Sequence, residues 1–144
     1  MELSALSRIA IGLTYHSCPH LGDRRESGEM VSINFSGHPV AGVELAPLVG
    51  ANLPLVEGQE LSATMRELLL ALPEREALLR GAAAEIILPG MSPAVAVLLA
   101  EWVGQFGVFP RIRWAVRGDS GSFEWPESAT LNLAEVRESA RTAR

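Results

Sequence analysis

Residues 84–107 read AEIILPGMSPAVAVLLAEWVGQFG, and the fold class turns on how that stretch divides. Ala84–Leu88 is a short, β-branched, apolar run of the kind that forms a strand buried on both faces. Pro89-Gly90-Met91 turns the chain, and Ser92-Pro93 opens a helix. The Ser92 hydroxyl is expected to cap an orphan backbone N–H, and proline in the first helical turn gives up only an N–H that has no partner there. From Ala94 to Phe106 the helix is apolar almost all round, with Glu101 and Gln105 as the main exceptions, so it should lie buried against a sheet. Gly107 stops it. Buried strand, tight turn and buried helix make up half of a layered α/β unit.

The same alternation continues in both directions. Upstream, Val31–Phe35 alternates with period two and ends at the turn Ser36-Gly37-His38-Pro39. Residues 43–50 are a weak helix candidate broken by Pro47, and 52–58 read as either a short strand or a loop. Leu61, Met65, Leu68, Leu69 and Leu72 recur at helical spacing, and Pro73 separates that helix from a second short one running to Gly81. Downstream, Arg111–Arg117 alternates strictly, which predicts one continuous strand with Ile112, Trp114 and Val116 on one face and Arg111, Arg113 and Arg117 on the other. Gly118–Gly121 is a turn, Ser122–Trp125 a returning hairpin strand, and Leu133–Arg144 a C-terminal helix. The expected fold is a small α/β, Rossmann-like sandwich with a largely parallel sheet and a C-terminal hairpin and helix. In such sheets ligands bind beyond the carboxyl ends of the strands, where the loops 36–39, 89–93 and 118–121 are expected to gather.

The first 29 residues lack this order. The stretch 15–29 has turn formers and charges without a period, and a strand pattern begins at once at Met30. Residues 1–29 therefore read as a non-native or disordered extension of a single domain spanning 30–144.

Composition excludes several functions. Of 144 residues, 48% are hydrophobic and 20% charged, a globular balance. All the cations are arginine, and with no lysine there is no Walker A loop and no Schiff-base chemistry. The net charge of −5 argues against binding long nucleic acid. No apolar run reaches the length of a membrane span, and the N-terminus lacks a signal peptide's basic start. One cysteine, Cys18, excludes an internal disulfide and fits a reducing cytoplasm.

Few motifs carry chemistry. Gly118-Asp119-Ser120-Gly121 resembles the nucleophile segment of chymotrypsin-like proteases, but Ser122 stands where glycine is needed and the chain is too short for two barrels, so it reads as a turn. His16, Cys18 and His20 lack a fourth zinc ligand. Neither a metal nor a cofactor is expected. Ser92, with Gly90 before it, could hold an anion at a helix start. Arg111 and Arg113 read as the charged flank of an edge strand, whereas Arg117, at the carboxyl end, is as well placed for a ligand as for solvent. Trp102, Trp114 and Trp125 are expected to pack in the core and hairpin.

Asn34-Phe35-Ser36-Gly37-His38-Pro39 and Leu88-Pro89-Gly90-Met91-Ser92-Pro93, together with Gly107–Pro110 before an arginine-bearing strand and Asn132-Leu133…Val136-Arg137…Ala140-Arg141 near the end, resemble the type III CRISPR-associated Csx-fifteen family. The resemblance spans residues 30–144. It implies a fold akin to CARF domains and a role in cyclic oligoadenylate signalling, as a binder or ring nuclease of cyclic tetra-adenylate. The matching positions Asn34, Ser36, Gly37, His38, Gly90, Met91 and Ser92 become candidate ligand contacts, to which position alone adds Arg117. The segment 40–60 is shorter and more apolar than the family pattern. A two-fold homodimer would present the same loops to both halves of a cyclic ligand.

Two function classes remain open. A binding protein would sequester the messenger. An enzyme would position the RNA 2′-hydroxyl for attack on its own phosphate without a metal, with His38, whose ordinary pKa lies near neutrality, as the candidate catalytic acid or base. A lone histidine without an evident acid–base partner tilts the reading toward sequestration. An unrelated small-nucleotide enzyme is a third reading, resting on fold alone.

Overall fold

A computed structural model describes residues 30–46 and 58–144 of the chain. The 1–29 extension with its His16-Cys18-His20 run, and the assignments for residues 47–57, lie outside the described residues. The described chain is a mixed α/β structure with a mostly parallel sheet and four helices. Its order is β1 (Met30–Asn34), α1 (Gly58–Leu70), α2 (Arg75–Leu79), β2 (Ala83–Ile87), α3 (Ser92–Phe106), β3 (Arg111–Arg113), β4 (Val116–Arg117), β5 (Phe123–Glu124), β6 (Thr130–Asn132) and α4 (Leu133–Thr142).

The main sheet runs β1-β2-β3-β6, the first three strands parallel and β6 antiparallel to β3. Because successive parallel strands are added in one direction and such crossovers are right-handed, α1 and α3 fall on the same face. There Ile33, Ala84 and Ile86 meet Met65 and Leu69 of α1 and Leu98 and Trp102 of α3 in one buried cluster. Met65, Leu69, Ile86, Leu98 and Trp102 are each 0–1% exposed. Full burial of such side chains stabilises by about 1.5–3 kcal/mol apiece. Gly107 takes φ 72°, the left-handed conformation that ends α3 by returning its N–H to the Val103 carbonyl.

A polar seam joins α1 to α3. Arg66 donates to both carboxylate oxygens of Glu101 (2.7 and 3.2 Å), and Ser62 Oγ donates to Oε1 at 3.0 Å. The Arg66 hydrogen bond holds the Glu101 carboxyl below the ordinary carboxylate range, with Ser62 assisting against the opposing effect of burial.

Several expectations are corrected. The described part of the 43–50 helix candidate is not helical: Leu45 bridges Asn34 in parallel and Ala46 N–H donates to the Asn34 carbonyl at 2.9 Å. Arg111–Arg117 is not one strand. Leu88 N–H still reaches the Arg113 carbonyl (2.9 Å), but the chain after Leu88 turns away into α3, so β3 runs out of a parallel neighbour. Trp114 N–H turns to the Ala129 carbonyl, and Val116–Arg117 pairs with Phe123–Glu124 in a separate two-stranded sheet. Arg117 therefore shares no face with Arg111 and Arg113. Nor is β3 an edge strand, since β6, absent from the sequence reading, covers it. Arg113 forms a 2.5 Å ion pair with buried Glu85, its diagonal neighbour on β2.

Candidate functional site

A cleft of about 780 Å³ opens where all three parallel strands end, the position expected for a ligand in a sheet of this kind. One wall is made of loops. Ser36, His38 and Pro39 follow β1; Leu88 through Ser92 follow β2, with Val95 from the first turns of α3 behind them. The opposite wall is made by the hairpin and its approaches: Trp114 and Ala115 follow β3, and Phe123 and Trp125 come from the returning side.

The loop after β1 is organised by Asn34. This residue is fully buried, and both polar atoms of its side chain have partners. Nδ2 donates to the His38 carbonyl at 2.8 Å, while Oδ1 accepts from Ser36 N–H (3.0 Å) and Ser36 Oγ (2.6 Å). An Asx-type turn of this sort lets a side chain take the place of a backbone partner. Gly37 supplies the left-handed φ of 76° at the turn's tip. The result presents the His38 ring to the cleft, tilted against the Trp125 indole with centroids 5.9 Å apart.

The start of α3 differs from its expected form. Met91 is the N-cap, with extended angles (φ −111°, ψ 127°), and no side chain caps the helix. Ser92 is thus the first helical residue rather than the cap. Its side chain lines the cleft, and its amide is among the first-turn donors that helix geometry leaves without an intrahelical partner. Open space surrounds the position a Gly90 Cβ would occupy, so this glycine keeps the cleft mouth clear.

Of the candidate contacts, the structure brings Ser36, His38, Gly90, Met91 and Ser92 together around the cleft. Asn34 and Gly37 shape the loop from behind without lining it. The Gly118–Gly121 turn, expected at the site, is the tip of the hairpin and does not line the cleft. Arg117 does not line the cleft either; its guanidinium lies over the Phe123 ring, 5.9 Å from the centroid.

The hairpin wall was missed. Trp102 is a core residue as expected, fully buried against Phe106, but Trp114 and Trp125 face the cleft together with Phe123. The available signal was the spacing of Phe123 and Trp125, two aromatics at i and i+2 on one face of a short strand. The indole N–H of Trp125 is buried without a partner among the described residues. Among the described residues no Arg, Asp or Glu lines the cleft, and these residues contain no cluster of His, Cys, Asp and Glu suited to a metal ion. No described helix is long and apolar enough to cross a membrane.

Compared with known proteins, the chain matches no family model, no curated protein and no solved structure.

Proposed function

We propose that this protein binds cyclic tetra-adenylate in the cleft, on a Rossmann-like, CARF-like scaffold, and lowers the free level of that messenger by sequestration in type III CRISPR antiviral defence in the cytoplasm. The observation that carries the reading is the aromatic-walled cleft at the carboxyl ends of the parallel strands. Planar bases stack on such walls, each stack contributing about 1–3 kcal/mol. The first-turn amides of α3 offer donors to the ligand's oxygens. The symmetry of the ring suits a homodimer that offers two clefts, one to each half.

Cleavage is the second reading, and the exposed His38 favours it. In that reaction a ribose 2′-oxygen attacks the adjacent phosphorus as its proton is taken up. The bond to the 5′-oxygen breaks, that oxygen gains a proton, and a linear product with a 2′,3′-cyclic phosphate results. His38 would serve one of the two proton transfers, a contribution of about 10²–10⁴-fold.

Labelled cyclic tetra-adenylate in excess over the full-length protein separates the two. Sequestration predicts a tightly bound, chemically intact ligand and no turnover, with His38→Ala changing affinity alone. Linear product beyond one equivalent, lost in His38→Ala at retained affinity, makes the protein a ring nuclease. Absence of binding overturns both readings.

A further inference from the structure

Among the described residues the cleft's wall is aromatic and apolar, and the polar groups it offers are the Ser36 and Ser92 hydroxyls, the His38 ring and the start of α3. Neither nearby arginine lines the cleft. Arg113 is tied to Glu85, and Arg117 lies on the Phe123 ring. A site built to hold phosphate by charge presents guanidinium or ammonium groups to it; this one presents Trp114, Phe123, Trp125 and His38. Phe123 is 61% exposed and Trp114 37%, a large apolar area left open to solvent on a hairpin that pairs only with itself. The buried N–H of Trp125 is a donor without a partner beside them.

Resting on the reading of the cleft as a nucleotide site, we infer that recognition is by the base: one purine ring per protomer enters the aromatic wall, with Phe123 and Trp125 as the selecting residues and no cationic side chain among the described lining residues to hold the phosphates. Affinity then comes from stacking and desolvation, which salt affects little. A protein that neutralised all four phosphates of the ring would lose up to about fifty-fold in affinity between 50 and 200 mM salt, on a slope of about −0.7 per phosphate.

The test follows tryptophan fluorescence of the full-length protein, to which Trp102 contributes a constant background. It titrates adenosine, inorganic pyrophosphate and cyclic tetra-adenylate at both salt concentrations. Base recognition predicts that adenosine quenches and competes, pyrophosphate does neither, and the Kd for the cyclic ligand changes less than about threefold with salt. Phe123→Ala should weaken adenosine by about tenfold and the cyclic ligand, which meets the change in both protomers, by about a hundredfold, while melting is unchanged. If the cyclic ligand binds but adenosine does not compete, or its affinity falls steeply with salt, base recognition is wrong and the messenger reading survives. If adenosine binds and the cyclic ligand does not, the base pocket stands and the messenger reading fails.

Discussion

The two walls of the cleft are built in opposite ways. The loop wall hangs directly from the buried sheet. Asn34, which shapes it, is 0% exposed, and Ile87, just before the β2 loop, is 0% exposed as well. The hairpin wall is held by two paired positions of its own, Val116 with Glu124 and Arg117 with Phe123, and by a turn in which Gly118 N–H meets the Ser122 carbonyl at 2.8 Å. Its Trp114 and Phe123 are open to solvent where the loop wall's supports are sealed. The difference separates stability from surface chemistry: the buried supports of the loop wall cannot be altered without destabilising the protein, whereas an exposed hairpin can change its side chains at little cost to the fold.

The strongest way to break this comparison is at the sheet beneath the loop wall. Glu85→Ala leaves the Arg113 guanidinium buried without its partner and should lower unfolding stability by about 3–5 kcal/mol. Chemical denaturation measures it. The double variant Glu85→Leu with Arg113→Met should recover most of the loss; if Glu85→Ala alone is neutral, the pair does not support the sheet.

Asn34→Ala comes next. It removes the acceptor of the Ser36 amide and one of the two donors to the His38 carbonyl, at about 1–3 kcal/mol of stability. Because His38 is then no longer held toward the cleft, ligand affinity should fall with stability. A stability loss without an affinity loss would separate the loop from the site.

On the hairpin wall the sign of the comparison reverses. Phe123→Ser should leave unfolding within about 0.5 kcal/mol of wild type, yet weaken ligand binding by about 1–3 kcal/mol. Gly90→Val sharpens the contrast from the other side: its Cβ meets open space, so melting should be unchanged while the larger side chain intrudes on the cleft mouth and weakens binding. If both variants bind normally, the ligand lies elsewhere.

The smallest effect is expected away from both walls. Glu101 has its pKa lowered, chiefly by the hydrogen bond from Arg66. A carboxyl with a depressed native pKa contributes stability that is present above its unfolded pKa and lost as pH falls through the lower native value. Thermal melts should therefore show Glu101→Gln slightly less stable than wild type at pH 7, with the gap closing as the solution is acidified below pH 4 or so. A gap that persists in acid would mean that packing, not charge, holds that seam.

Local pattern was enough wherever one side chain's neighbours lie within a few residues. The spacing of Leu61, Met65, Leu68 and Leu69 marks α1 with its buried face, Ala84–Leu88 marks β2, and Gly107 ends α3 where expected. That Ser36, His38, Gly90, Met91 and Ser92 are neighbours around one cleft was legible because a parallel sheet brings its post-strand loops to one edge. Two features escaped that local reading. The division of Arg111–Arg117 depends on β2 having turned away after Leu88, and no alternation within RIRWAVR encodes that. The helix start at Ser92 depends on Met91 taking extended angles, a one-residue shift that turns an expected cap into a cleft-lining hydroxyl.

The sequence by itself determined the α/β class, the buried faces of α1 and α3, and the edge of the sheet where a ligand would enter, because hydrophobic periodicity and turn chemistry are local properties. Tertiary structure alone decided that β6 covers β3, that Arg113 pairs with Glu85, and that Trp114, Phe123 and Trp125 form the second wall of the cleft. Backbone pairing and side-chain burial at those positions are set by whichever strand lies alongside, and that neighbour is chosen only when the whole chain has folded.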